Sequence, residues 1–469
     1  MNQHKYAATR PKALILGAGR SGLGAALLLK SKDINCLISD IKSASPQTIA
    51  TCKKHGIEIK IGPQTEDLLA LRPMVICSPG IPQDIQILEK ARSMGLVIKS
   101  EIDLALGNLG QDWIGVTGTN GKSTCTHWLA QLLTHAGHKS IAVGNIGMPP
   151  SEVLATSDRP GTFVVELSSY QIDSSFELQP HIVIFTSFSK DHLERHKTIR
   201  NYFLAKWKLV ETLAEDGLLV TNQSVYKAAL SFGCQLPKCK IILTYTEDET
   251  QTQIDLDKGN YVILTKSELQ FYQNGKPTSL PNPFAYTHLS QNAAMSLVAA
   301  QHLTGKPIAD LSKGFASLSP LPYRFEIIGT FSTHPIINDS KSTNVDSTLV
   351  AMKSLGKKTY LIIGGRKKLE SFKPLLDFKK DILRLYIYGE SKDDIADELS
   401  ELNPLKCDNL SELLLLLKQD SNHQPASILF SPACASFDQF ENFEARGLYF
   451  NKQIKQIFEV EDQSSADST

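Results

Sequence analysis

The run Gly118-Thr119-Asn120-Gly121-Lys122-Ser123-Thr124 lies between an apolar stretch, IGVT, and CTHWLAQLLTHAG, whose apolar residues recur at helical spacing. Strand, glycine-bearing turn and helix in that order build a phosphate cradle. Backbone amides curl round a β-phosphate, a lysine supplies a point charge, and a hydroxyl serves Mg²⁺. Val116 stands where the strict motif has its first glycine, but the residues that meet phosphate are all present. The alternative is a bare strand-to-helix turn; the flanking strand and helix favour binding of ATP or GTP. Glu166 closes the strand TFVVEL, where a carboxylate near such a loop serves as an Mg²⁺ ligand as readily as a solvated strand end. Asp191-His192 follows a further buried strand, HIVIFT. A lone histidine there is ordinarily a polar loop residue and gains weight only from its company.

Two more features carry chemistry. In TIRNYFLAKWKLVETL the residues Ile199, Tyr202, Phe203, Val210 and Leu213 form one helical stripe, and Lys206 falls within it. A lysine on a buried face must be paired, modified or turned to a ligand; by spacing alone, snorkelling to the surface competes with that. Near the start, ALIL runs into GAGRSGLG, with Gly17, Gly19 and Gly22 in G-x-G-x-x-G spacing and Asp40 ending the next strand. That is the dinucleotide fingerprint, and a tight turn needing glycine is its bland counterpart. A full dinucleotide domain has two mononucleotide halves, whereas the second phosphate loop begins only about a hundred residues on. The shortened unit suits a nucleotide or nucleotide-sugar diphosphate better than NAD, with SPGIP (78–82) on the same rim.

The elements that must position these residues alternate. ALIL, CLISD, IEIKI, MVICS and LVIKS read as strands separated by helical stretches, which predicts a parallel sheet covered by helices. A second unit starts near Trp113 and adds SIAVG, TFVVEL and HIVIFT; KIILTY, NYVILT and LQFYQ, with only polar turns between, predict a small antiparallel appendage. Prolines in LSPLPYRF mark a linker, after which PIIND, TYLIIGG, LRLYIYG and SILFSP resume the alternation. Three α/β domains are expected, at 1–106, 107–318 and 319–469, with 460–469 disordered; 469 residues fit that count. Lys plus Arg and Asp plus Glu are both 49, so the net charge is zero, which speaks against a nucleic-acid partner or a polybasic membrane anchor. No apolar run approaches the roughly 18 residues of a membrane span. The opening MNQHKYAATRPKA lacks a secretory core, and the eight scattered cysteines contain no CxxC pair. The expected compartment is the cytoplasm.

Together GTNGKST, ELSSYQ (166–171), KDHLERH (190–196), HLSQNA (288–293) and YRFE (323–326) resemble the Mur ligases, the ATP-dependent amino-acid-adding enzymes of peptidoglycan synthesis. NDSKSTN (338–344) and SPACASFDQFENFEARG (431–447) resemble the members that add D-glutamate to UDP-N-acetylmuramoyl-L-alanine; the Asp-Asn-Pro-Arg motif of the diaminopimelate- or lysine-adding members is absent. The resemblance implies a Rossmann-like UDP-binding domain, a central mononucleotide-binding domain and a Rossmann-like C-terminal domain. It implies an acyl phosphate and a tetrahedral intermediate, two Mg²⁺ ions and a monomer. In the ATP site Lys122 would hold the β- and γ-phosphates within the loop Gly118 to Thr124, and Asn292 would read adenine. Arg324 and Lys341 would approach phosphate or intermediate. Ser123 and Glu166 would hold one Mg²⁺; His192 would hold the second, bridged by Lys206 as a carbamate. Arg20, Ser21, Asp40, Ser78, Pro79 and Gly80 would hold the uridine diphosphate, and Asn145 and Gln171 the sugar. Thr343, Lys368, Ser436, Phe437 and Phe443 would surround D-glutamate. The chain departs from the family pattern at Ser187 and Leu289, where asparagine is usual, and at Arg366, where an acid is common. Arg366 and Lys367 then form a basic run in which Lys367 competes with Lys368 for the amino-acid role. A dehydrogenase would leave GTNGKST unexplained, a simple phosphate-loop switch would leave the C-terminal motifs unexplained, and a silent binding protein would not need Lys122, Glu166, His192 and Lys206 together.

Overall fold

The computed structural model describes residues 12–107, 109, 113–156, 161–251, 260–284, 286–332 and 334–458; the tail expected to be disordered lies outside them. The chain forms two compact units: Met1–Phe188 with Arg200–Pro283 and Ser290–Leu318, and Ser189–Ile199 with Phe284–Leu289 and Ser319–Thr469.

The first unit contains two sheets. Strands β1 (Ala13–Leu16), β2 (Cys36–Asp40), β3 (Glu58–Ile61), β4 (Met74–Cys77) and β5 (Ile98–Ser100) pair in the order β3-β2-β1-β4-β5, all parallel. That is one mononucleotide half with two strands added, short of a complete dinucleotide fold. The second sheet comprises β6 (Trp113–Thr117), β7 (Ser140–Gly144), β8 (Thr162–Glu166), β9 (Ile182–Phe185), β10 (Leu218–Asn222), β11 (Lys240–Thr246), β12 (Asn260–Leu264), β13 (Glu268–Gln273) and β14 (Lys276–Pro281). Their order is β14-β13-β12-β11-β10-β9-β6-β8-β7. The antiparallel appendage is the edge of this sheet: β12–β13 and β13–β14 run antiparallel, while the stretch KIILTY in β11 pairs parallel with β12.

The helix Ile199–Glu211 covers the centre of this sheet. Phe203 and Trp207 are buried and stacked at 5.5 Å, and Phe185 packs on Phe203 at 5.6 Å. Each such ring contributes about 1.5–3 kcal/mol through burial, so the face that carries Lys206 is held firmly inward.

A polar joint ties the two sheets of this unit. The helix Arg20–Ser31 packs on Pro150–Ala155 at Gly24, where a Cβ would lie 2.6 Å from Ser151 Oγ. Asp103 accepts from Phe176 N and Glu177 N (2.9–3.1 Å), and Glu101 Oε1 accepts from Ser151 N at 2.9 Å. Burial pushes the Glu101 carboxyl up to about 7, against the pull of the Ser151 hydrogen bond. A folded state that holds a proton more tightly than the unfolded chain loses stability as the pH rises from the usual carboxylate range to that value. Glu101→Gln keeps an acceptor and removes the charge. It should raise the thermal midpoint by a few degrees near pH 8 and leave it unchanged near pH 4. A lower midpoint near pH 8 would show that the carboxylate itself holds the joint.

The second unit is built on β15 (Glu326–Phe331), β16 (His334–Asn338), β17 (Thr359–Gly364), β18 (Ile382–Tyr388), β19 (Leu405–Cys407) and β20 (Ser427–Phe430), ordered β15-β16-β20-β17-β18-β19. Only β15 runs antiparallel to its neighbour. Because β16, β20 and β17 are adjacent and parallel, the loops NDSKSTN, SPACASFD and GGRKKLE all leave the same edge of one sheet, where α/β ligands bind.

All eight cysteines are free thiols and all but Cys234 are buried, with burial pushing Cys36 up to about 11 and Cys125 and Cys434 up to about 12.

Candidate functional site

In the first unit β6 delivers the chain to Gly118, and the helix Lys122–His135 carries it away. Glycine is required twice in this loop. Gly118 has φ +143° and a Cβ there would fall 2.1 Å from Thr186 Oγ1; Gly121 has φ +84° and a Cβ would fall 2.5 Å from Asn292 Oδ1. Asn120 is fixed from the next strand's end: its N–H donates to Ser187 Oγ at 2.9 Å, and its carbonyl accepts from Thr186 Oγ1 and Ser187 Oγ. The serine that replaces the usual asparagine thus supports the loop. Lys122 Nζ, at the first helical residue, donates to Gly118 O (3.0 Å) and Thr119 O (2.7 Å). Ser123 and Thr124 are buried in the first turn. Asn292, on the helix Thr287–Thr304, packs against Gly121, and Cys125 Sγ lies 3.5 Å from its Oδ1.

Lys206 does not snorkel. It is 1% exposed, and its Nζ donates to Gly118 O at 2.7 Å and lies 4.8 Å from the Tyr202 ring centroid. Two lysines therefore converge on one carbonyl of the phosphate loop.

Glu166 ends β8, opposite Val116 in register and 2% exposed. Asn145 Nδ2 donates to its Oε1 at 2.9 Å and Asn145 N to its backbone carbonyl at 2.9 Å, so the residue expected at the sugar also orients this carboxylate. Gln171 is buried, with Oε1 engaged in the cap of the short helix Ser169–Asp173. Among the described residues no three His, Cys, Asp or Glu are grouped as a metal site. Mg²⁺ keeps waters and substrate phosphates in its shell and asks the protein for only one or two oxygens; the Ser123 hydroxyl and the Asn145-held carboxylate of Glu166 fit that demand.

At the rim of the first sheet the glycine loop closes tightly. A Cβ on Gly17 (φ +102°) would meet Ser78 Oγ at 2.7 Å, and one on Gly22 would meet Gly17 O at 1.9 Å. Asp40 accepts from Ala18 N at 2.7 Å and from Lys42 N at 2.9 Å, so its carboxylate braces the loop. Arg20 and Gly80 are exposed, and Ser21, Ser78 and Pro79 half-buried, around that rim.

In the second unit Asp191 is the centre of a charged cluster. Lys368 Nζ donates to its Oδ1 at 2.9 Å and Asn344 Nδ2 to its Oδ2 at 3.0 Å. Burial alone would raise this carboxyl, but Lys368, with His192 and Asn344, outweighs it and brings it down to about 2. His192, at φ +53°, faces Asp191 at 3.6 Å and Glu194 at 3.3 Å; burial lowers its pKa, toward the neutral imidazole. Glu370 accepts from Val345 N, and burial pushes it up to about 7. Arg366 pairs with Glu390 and Lys367 with Asp394, both outside this cluster. Thr343 is half-buried beside Asn344, Ser436 is buried, and Phe437 is 65% exposed. Lys341 and Arg324 lie over the ring of Phe443.

Two residues given no role in the sequence hold the loops of this unit. Arg446 is 0% exposed and donates to Ser340 Oγ, Ser340 O and Cys434 O at 2.7–3.1 Å. Asp339 accepts from Phe325 N, Ser342 Oγ and Ser431 Oγ, and burial raises its pKa to about 6. The signal was their place inside NDSKSTN and FEARG; nothing in their spacing gave the partners.

A strand, glycine loop and helix with a lysine on the loop and a carboxylate one strand away define a phosphate-loop nucleotide-binding protein. Residues 116–300 match the Mur ligase middle domain and residues 11–100 the Mur ligase MurD-like N-terminal domain. The UDP-N-acetylmuramoylalanine–D-glutamate ligase of Gloeothece citriformis is 33% identical, over 95% of this chain and 100% of its own. That of Trichormus variabilis is 33% identical over 94% and 98%. The chain belongs to the Mur ligase family. Among solved structures the fold is shared with the UDP-N-acetylmuramate–alanine ligase of Thermotoga maritima (TM-score 0.57, 19% identity, 95% of this chain and 100% of that one). It is also shared with the ADP-bound MurF ligase of the same organism (TM-score 0.57, 14% identity, 96% and 99%).

Proposed function

We propose that the chain is an ATP-dependent ligase that joins D-glutamate to UDP-N-acetylmuramoyl-L-alanine, a cytoplasmic step in making the peptidoglycan precursor. The observation that carries this is the GTNGKST loop, contacted by two lysines and adjoined by Glu166, in a chain alike over nearly its whole length to relatives named for that reaction. Residues 1–106 take the UDP-sugar, 107–318 ATP and 319–469 the amino acid, and the enzyme acts as a monomer. Among the described residues no helix is long and apolar enough to cross a membrane.

A carboxylate is a poor electrophile. An alanyl carboxylate oxygen therefore attacks the γ-phosphorus of ATP, and ADP leaves. The D-glutamate amine then adds to the acyl phosphate and loses a proton, and the tetrahedral intermediate expels inorganic phosphate. Lys122 holds the β- and γ-phosphates, Asn292 contacts adenine, and Arg324 and Lys341 meet phosphate or intermediate. We assign Ser123 and Glu166 to one Mg²⁺, and His192 with carbamylated Lys206 to a second. Such ions, when bound, offset the charges of triphosphate and carboxylate. ADP and phosphate should form only with the UDP-sugar-alanine present, and amide only with D-glutamate added. Equal turnover with L-lysine would sink the assignment.

Lys368 is the D-glutamate partner in this scheme, and its pairing with Asp191 supports a place at the site. Lys368→Ala should raise the D-glutamate KM by about tenfold or more, the loss of one charged hydrogen bond, whereas Lys367→Ala should change it little. A larger effect at Lys367 would reassign the pocket residue.

A further inference from the structure

We infer that the ring of Phe443 is a platform that orients the Lys341 ammonium, and so acts as a positioning residue for the chemical step; this rests on the function proposed above. Lys341 Nζ lies 4.0 Å from the ring centroid, well inside the range in which the negative face of an aromatic ring attracts a cation. Arg324 Cζ lies 5.9 Å from the same centroid, at the edge of that range. A ring face covered by an ammonium is not free to pack on the methylenes of an amino acid. The ring therefore serves the cations, and contact of this residue with D-glutamate falls to its backbone.

The geometry around the platform is fixed from three sides. Phe443 is the first residue of the helix Phe443–Ile457, capped by Asn442, whose side chain accepts from Ala445 N at 2.7 Å. Its carbonyl accepts from Ser340 Oγ at 2.9 Å, next in sequence to Lys341. Ser340 is in turn gripped by the buried Arg446 through its hydroxyl at 3.1 Å and its carbonyl at 2.7 Å. Lys341 N donates to Tyr323 O at 3.0 Å, so the residue before Arg324 is anchored to the lysine's backbone. Tyr323 (φ +61°) and Phe325 (φ +52°) both adopt left-handed backbone that non-glycine residues rarely occupy. Such conformations persist where the surroundings hold them. Here Phe325 N is bound by Asp339 at 3.0 Å, and the Tyr323 ring lies against Gly447, where a Cβ would fall 2.5 Å from Cδ1. Ring, lysine and arginine are thus carried on backbones bonded to one another, and the ring face selects the lysine's rotamer.

The test replaces Phe443 by mono-, di- and trifluorophenylalanine in the full-length enzyme. Fluorination drains the negative potential of the ring face with little change of volume. Amide formation is followed, with kcat and D-glutamate KM resolved and the thermal midpoint measured alongside. We expect kcat to fall stepwise, by about tenfold at the trifluoro end, as a cation–π contact is lost, with KM and the midpoint unmoved. A flat kcat across the series, or a change carried by the D-glutamate KM, would overturn the inference. Wild-type protein that forms no amide from D-glutamate would overturn instead the function on which it rests.

Discussion

Lys206→Arg should be nearly inactive, with kcat lowered by about a hundredfold or more, the scale set by removing one fixed group that stabilises the transition state. The substitution keeps the positive charge, so a lysine acting only as a cation would survive it. Two features make survival implausible on physical grounds. The amine is buried against Gly118 O and the Tyr202 ring, which leaves no room for a planar guanidinium without disturbing the loop. In addition, a guanidinium cannot take up CO₂ to become an anionic metal ligand, as the proposed carbamate requires. ¹³C-labelled CO₂ should give a carbamate resonance in the wild type that is missing from the variant. Full activity of the arginine enzyme would refute the carbamate.

Lys122→Ala should cost about 3–4 kcal/mol in kcat/KM, the usual loss when a charge aimed at a developing oxyanion is removed. The side chain also donates to two carbonyls of its own loop, so the nucleotide KM should rise as well as kcat fall. Stability should change by less than about 1 kcal/mol, because those two bonds leave no buried partner that water cannot reach. A wild-type rate in this variant would place ATP elsewhere.

The alternation of strands and helices, the phosphate loop and the carboxylate beside it were legible because each is written over a few consecutive residues. β10 was not announced: LLVTN shows neither a period of two nor flanking turn residues, and its strand character comes from its slot between β9 and β11. KIILTY reads as part of an antiparallel run because strands with no intervening helix usually pair that way; its parallel partner is fixed by the sheet. For Lys206 the helical stripe left burial and snorkelling open, and the choice was made by a carbonyl 88 positions away. Lys368 and Asp191, 177 apart, and Arg446 and Ser340, 106 apart, are likewise joined only by the fold. A charged residue announces its type in the sequence, but its partner is a property of the packed chain.

The suppressed thiols give the molecule two built-in clocks. Cys125 lies beneath Asn292 in the unit that carries the phosphate loop, and Cys434 beside Arg446 in the other. With their thiolates disfavoured by burial, neither reacts with an alkylating reagent until its surroundings open. The alkylation rate at each position therefore counts openings of its own unit, with no probe added. A ligand that tightens one unit slows one clock and leaves the other running.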